Sequence, residues 1–323
     1  MDAPGQRNAG ATEMNAPPND ILARIGNTTL LALRRIVPAN GARILLKLES
    51  ENPTGSMKDR MALAMVAAAE ADGRLPPGGA VVEYTGGSTG VSLALVCAVR
   101  GHPLDIVTSD AFAREKLDHM RILGARMHVL ASDGGRMTEK LTRDMIAAAG
   151  VIARETGAYW TDQMKNADQL AAYTAMADEI WSQTGGAVDG FVQAVGTAAS
   201  LRGIGQALRR RRADLQVVAV EPAESPVLSG GAPGAHRIDG VGAGFVVPLW
   251  QDGLADAVER VSTGQAKEMA LRLAREEGLF AGTSTGANLV AALRLADRLG
   301  PRATIVSVMC DTGMKYLRGY AGT

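Results

Sequence analysis

Short β-branched runs alternating with longer amphipathic stretches predict an α/β protein of two domains, each a mostly parallel sheet covered by helices on both faces. The chain has 323 residues, enough for about two buried cores. Its apolar runs of strand length are separated by helix-length patterns, and parallel strands require such crossovers.

The strand candidates, in order, are Ile44–Leu48, Ala80–Tyr84, Leu104–Thr108, Met127–Leu130, Phe191–Val195, Leu215–Val220 and Thr304–Met309. Each is rich in Val, Ile or Leu and bounded by turn-forming or polar residues. The spacing predicts helices over 57–71, 89–99, 112–123, 135–156, 168–184, 200–212, 265–277 and 287–299. Tyr159–Gln163 reads as strand or loop, and a domain boundary is expected near 156–165. Ser225–Ala235 is rich in Gly, Pro and Ser and reads as a surface excursion. Residues 1–20, rich in Gly, Ala, Asn and Pro, read as a disordered tail with no signal-peptide core.

Composition excludes several function classes. Lys plus Arg and Asp plus Glu both number 34, so no global field gathers nucleic acid or an anionic membrane. The basic run Arg209–Arg212 is read as a helix C-terminus complementing its dipole. No stretch approaches the roughly 20 apolar residues of a membrane span. Cys97 and Cys310 lie in apolar runs, as buried free thiols of a reducing compartment do, and the cytoplasm is the expected location. The four histidines lack metal-ligand spacing, so no metal is expected.

In parallel sheets ligands collect where strands run into helices, and the unusual sequence lies there. Asn52-Pro53-Thr54-Gly55-Ser56-Met57-Lys58-Asp59-Arg60 opens a strong helix closed by Gly73, with Ser56 as expected N-cap. Lys58 then sits in the first turn, where the helix dipole disfavours a cation and favours a free, nucleophilic amine. Asp59 beside it could offset the dipole and leave Lys58 a solvated surface lysine. The chain holds only seven lysines, which makes this placement more telling. Thr85-Gly86-Gly87-Ser88-Thr89-Gly90, between a strand and the helix Val91–Arg100, offers hydroxyls and bare amides suited to a carboxylate or phosphate. Gly196-Thr197-Ala198-Ala199-Ser200 does the same without the Gly-Lys-Ser/Thr of a Walker loop. Either loop could equally be a capped turn. Gly282-Thr283-Ser284-Thr285-Gly286 precedes the helix Asn288–Leu299, and Gly240–Phe245 forms a GxGxG turn.

Two of these loops match G-x-S-x-G, the nucleophile elbow of serine hydrolases. No histidine follows Ser284, which removes it. Ser88 keeps His236 downstream, so a hydrolase using Ser88 is a distant alternative.

Taken together the loops resemble the cysteine synthase and cystathionine β-synthase family of fold type II (tryptophan synthase β-like) pyridoxal-phosphate enzymes. The resemblance runs from Ile25-Gly26-Asn27-Thr28-Thr29-Leu30 to Cys310-Asp311-Thr312-Gly313-Met314-Lys315-Tyr316-Leu317. It implies pyridoxal 5'-phosphate as cofactor and Lys58 as both its Schiff-base partner and the base on the substrate Cα–H. Gly196, Thr197, Ala198, Ala199 and Ser200 would cradle the phosphate, Thr285 would meet the pyridine nitrogen, and Ser88 would stand at the phenolic oxygen. Thr85, Gly86, Gly87, Ser88, Thr89 and Gln163 would hold the substrate carboxylate, with Gly242 at the cleft entrance.

The implied reaction is β-replacement on a small, O-acetylserine-like amino acid through an α-aminoacrylate, with a thiol or other small nucleophile adding. Elimination by a dehydratase or desulfhydrase, and a catalytically silent binding partner, are the alternatives. The resemblance also implies a homodimer. It implies a smaller mobile domain over 41–156 carrying the substrate loop, and a larger phosphate-binding domain formed by 21–40 plus 157–323. The family's TSGNTG loop is here TGGSTG, replacing an asparagine by Ser88 and removing a side chain at Gly86. Its GTGGT loop is here GTAAS, so Ala198 and Ala199 are expected at negative φ.

Overall fold

The computed structural model of the chain describes residues 20–39, 41–135 and 138–320. The expected tail over 1–20 lies, except for Asp20, outside the described residues. The strands are β1 (Leu30–Ala32), β2 (Arg43–Leu48), β3 (Val81–Tyr84), β4 (Leu104–Ser109), β5 (Arg126–Leu130), β6 (Tyr159–Trp160), β7 (Gly190–Ala194), β8 (Gln216–Pro222), β9 (Ala257–Val261) and β10 (Thr304–Met309). The main helices are α1 (Lys58–Ala71), α2 (Ser88–Arg100), α3 (Arg114–Ile122), α4 (Glu139–Thr156), α5 (Gln169–Thr184), α6 (Ala199–Arg211), α7 (Thr263–Glu277) and α8 (Thr283–Leu299).

The strands form two sheets. One has six strands in the order β1-β2-β10-β7-β8-β9, parallel except for β1, and the other has four parallel strands in the order β5-β4-β3-β6. Each is covered on both faces. In the larger sheet Phe191 and Val217 pack with Met61, Tyr173 and Leu201 on one side. Val192 and Ile305 pack with Leu273, Leu289 and Leu295 on the other. In the smaller sheet Val81 and Ile106 face Leu93 and Met120, whereas Val82 and Val107 face Leu141 and Met145. Full burial of one such side chain contributes about 1.5–3 kcal/mol.

The division between sheets differs from the expected ranges at both edges. Strand β2, inside the expected 41–156, pairs with β10 in the larger sheet, and β6, outside it, pairs with β3 in the smaller one. The expected strand registers hold to within two residues, while β1 and β9 are additional edge strands. Two helices start earlier than expected, α2 at Ser88 and α8 at Thr283, so their hydroxyl residues belong to first turns rather than loops. Conversely, the N-cap of α1 is Met57, not Ser56, although Ser56 Oγ still accepts the Lys58 N–H at 3.3 Å.

Candidate active site

The lysine loop, the loop over 85–90 and the loop over 196–200 follow the carboxyl ends of β2, β3 and β7, whereas Gly282–Gly286 connects α7 to α8. The C-terminal segment ties them together. Ser56 pairs with Asp311 and Ala281 with Thr312 as single antiparallel bridges. Met57 N–H donates to the Cys310 carbonyl at 2.8 Å and Thr312 N–H to the Gly55 carbonyl at 2.9 Å. The lysine loop, the end of β10 and the start of α8 are thereby locked side by side.

Lys58 is the first residue of α1, and its Nζ makes no hydrogen bond or ion pair among the described residues. Asp59 does not neutralise it. Its carboxylate turns to Thr54 N–H (2.7 Å) and to the hydroxyls of Thr54 and Ser92, fastening the loop to α2. Burial raises the Asp59 pKa, against the pull of those hydrogen bonds.

Residues 85–90 lie against the segment bearing Gln163. Thr89 Oγ1 donates to Gln163 Oε1 at 2.9 Å, and Gln163 Nε2 donates to the Tyr84 carbonyl at 2.9 Å. Beneath them Glu83 is fully buried and accepts from Tyr84 N–H, Gln163 N–H and the Thr161 hydroxyl, with burial pushing its pKa up to about 7. Thr85 Oγ1 accepts from Gly87 N–H, and the Gly87 N-cap supplies no side chain to α2, leaving first-turn amides for an anion.

The α6 start is likewise without a side-chain cap. Ala198 there adopts φ +69°, contrary to the negative φ expected of an alanine, while Ala199 enters the helix. This left-handed turn costs about 1–2 kcal/mol, and the Ala199 N–H that follows it donates to Thr197 Oγ1 at 3.4 Å. Gly196 is pressed against Gly240, where a Cβ would lie 2.4 Å from the carbonyl oxygen. Thr197 Oγ1 bonds Gln169 Oε1 at 3.3 Å. Ser225, fully buried with an unpartnered hydroxyl, lines a small cavity with Gly196 and Gly242. Gly242, at φ +64°, donates its N–H to the Val195 carbonyl and closes that side. Thr285 Oγ1 accepts from Cys310 N–H at 3.1 Å, so its own proton remains available to an acceptor.

The hydrolase alternative fails on geometry. His236 Nε2 is bound to the Gly242 carbonyl at 3.0 Å and Nδ1 accepts from Ile238 N–H, so it braces the glycine loop. Ser88 donates instead to Asp311 Oδ2 at 3.1 Å. Several site residues escaped sequence reading: Phe112 against Gly86, and Asp311, Lys315 and Tyr316 around Ser88. The last three stand in the quoted C-terminal motif, which was the available signal. Lys116, over the Tyr316 ring at 4.0 Å, had none.

Residues 21–311 match the family model described as "pyridoxal-phosphate dependent enzyme". The chain belongs to that family. Within the pyridoxal-phosphate enzymes it falls in the cysteine synthase group of fold type II. It is 36% identical over 303 residues to a cysteine synthase of Staphylococcus aureus, covering 93% of this chain and 96% of that protein. Among solved structures, O-acetyl serine sulfhydrylase isoform 3 from Entamoeba histolytica superposes with a TM-score of 0.87 at 35% identity, covering 98% of this chain and 93% of the other. An O-ureido-L-serine synthase superposes with a TM-score of 0.87 at 33% identity, covering 94% and 95%. The cofactor of this pyridoxal-phosphate enzyme is pyridoxal phosphate, and the residues fit it. An unpaired amine at Lys58, an uncapped helix start with an orphaned Ser225 hydroxyl beside it, and a spare Thr285 proton suit its aldehyde, phosphate and ring nitrogen.

Proposed function

We propose that the chain carries out pyridoxal-phosphate-dependent β-replacement of the cysteine synthase type on a small amino acid bearing a β leaving group, as in O-acetylserine. The observation that carries this is Lys58, its amine unpaired among the described residues, on a loop that the Ser56–Asp311 and Ala281–Thr312 bridges hold beside the start of α8. When bound, the cofactor supplies an aldehyde for an amine and a ring that accepts electron density from the substrate Cα.

The chain's own residues supply the rest. Lys58 Nζ would hold the aldehyde and, once released, would be the group placed to take the Cα proton. The α2 amides with Thr85, Gly86, Gly87, Ser88, Thr89 and Gln163 hold the substrate carboxylate. The α6 start, through Gly196, Thr197, Ala198, Ala199 and Ser200, holds the phosphate. Thr285 would offer the ring nitrogen a neutral hydroxyl rather than a carboxylate, a weaker electron sink that suits loss of a β substituent. Gly242 shapes the entrance. The four-stranded unit is proposed to move over the larger sheet on substrate binding, and the active form to be a cytoplasmic homodimer. Two buried free cysteines are consistent with that compartment, and no helix among the described residues is long and apolar enough to cross a membrane.

The test is a visible spectrum of the purified protein before and after O-acetyl-L-serine, with amino-acid products analysed in the presence of sulfide. The expected result is a visible band that shifts with substrate, and cysteine as product. A keto acid and ammonia would instead establish elimination, and no band after incubation with pyridoxal phosphate would overturn the proposal. Lys58→Ala is expected to remove the band and to lower turnover by about 10^2–10^4-fold, the scale of a lost general base.

A further inference from the structure

Ser88 occupies the position at which the family places an asparagine against the cofactor's phenolic oxygen. An asparagine amide has two N–H donors, but a serine has one O–H, and here that proton is given to Asp311 Oδ2 at 3.1 Å. Ser88 therefore has no proton left for the phenolic oxygen while this pair holds. The nearest spare donors belong to Lys315. Its Nζ lies 3.3 Å from Ser88 Oγ, the only hydrogen bond it makes among the described residues, so two of its three protons are uncommitted.

The side chain of Lys315 is buried, with only 8% of the residue exposed. The surrounding charges hold it there. Asp311 and Asp59 lie on one side of the balance and Lys116 and Lys58 on the other, while burial draws its pKa down to about 8. Asp311 is itself fixed by the Tyr316 hydroxyl on Oδ2, and its Oδ1 is buried without a partner against Gly282. The ammonium is thus kept in the cleft by a carboxylate that it does not directly pair with, one hydroxyl away from the place of the lost amide.

We propose that Lys315 supplies the donor to the cofactor's phenolic oxygen that relatives take from asparagine, with Ser88 and Asp311 positioning its ammonium. The inference rests on the cofactor reading above. A cation at that oxygen stabilises its deprotonated form, and an opposite charge within about 4–6 Å moves a pKa by at least about one unit, or about tenfold in the ratio of the two forms.

The experiment reads the spectrum of the resting protein loaded with pyridoxal phosphate, not its turnover. Lys315→Met is expected to lower the ratio of the long-wavelength, deprotonated form to the short-wavelength, protonated form by about tenfold, and to weaken cofactor retention on dialysis. Lys315→Arg is expected to restore most of the ratio. In a Ser88→Asn background, where the amide is returned, Lys315→Met is expected to have little effect. A role confined to balancing Asp311 would lower the melting temperature without this band change and without rescue by Ser88→Asn. Should Lys315→Met fail to fold, Lys315→Gln carries the same test, since it also removes the charge. A cofactor band of unchanged ratio in Lys315→Met or Lys315→Gln overturns the inference and leaves the proposed function standing. Absence of a band in the unmodified protein overturns both.

Discussion

A Cβ built on Gly86 would lie 1.7 Å from Cδ2 of Phe112 and 1.8 Å from Cγ. The half-buried ring therefore fills the room that a serine takes in the family's loop, and the two departures are one adjustment. Gly86→Ser is expected to destabilise the protein by about 1–3 kcal/mol through overpacking. Phe112→Ala in the same chain should recover most of that loss, measured as non-additivity of melting temperatures. At Ala198 the opposite change is favourable. Ala198→Gly relieves the left-handed backbone and should raise stability by up to about 1 kcal/mol in denaturant unfolding, after the entropic cost of glycine. Such details are invisible to sequence reading, because whether an alanine replaces a glycine at negative or positive φ depends on what presses on the turn. Here Gly196 next to it abuts the Gly240 carbonyl, and that contact lies 44 residues away in the chain.

Strand β3 shows how an element delivers a site. Its end places Glu83 inward, where the carboxyl takes hydrogen bonds from the strand's own Tyr84 N–H and from the segment bearing Gln163. Burial lifts its pKa from 4.5 to about 7. A buried acid with a raised pKa binds its proton more tightly in the folded state, so its stabilising contribution is present below pH 4.5 and is lost as pH rises to about 7. Thermal melts across that window should show stability falling with pH, and Glu83→Gln should flatten the trend. The buried strands were readable from their Val- and Ile-rich runs. The edge strands were not: β1 has three residues, and β9 (AVERV) carries adjacent charges at Glu259 and Arg260 and is buried only at Val261. Helices α2 and α8 were read too short because Ser-Thr-Gly first turns look like loops to propensity, and no side chain caps either start.

Across the whole molecule a buried ionic network fixes where α1, and so Lys58, sits. Arg60 pairs with Glu49 at 2.7 Å and Glu179 at 2.7 Å, Lys47 pairs with Glu179 at 2.6 Å, and Thr28 and Asn52 bond Glu49. The Glu179 carboxyl, though burial opposes it, is held down at about 2 by Arg60 and Lys47. Residues 28 and 52 of the quoted motifs thus act through this network, a role that motif matching could name but not explain. Glu49→Ala leaves Arg60 to Glu179 alone and removes the acceptor of Thr28 and Asn52, and should cost about 1.5–3 kcal/mol in unfolding experiments, with a fall in cofactor retention.

The pairing of Ser56 with Asp311 has a consequence for biosynthesis. The lysine loop is translated first, and its bridge partner follows about 250 residues later. A nascent chain therefore leaves the ribosome with Lys58 on an unpinned loop, and the cleft comes into being only after Thr312 has emerged. Loading with cofactor in this sense waits for residue 312, and ribosome-stalled chains ending before Asp311 should not retain it.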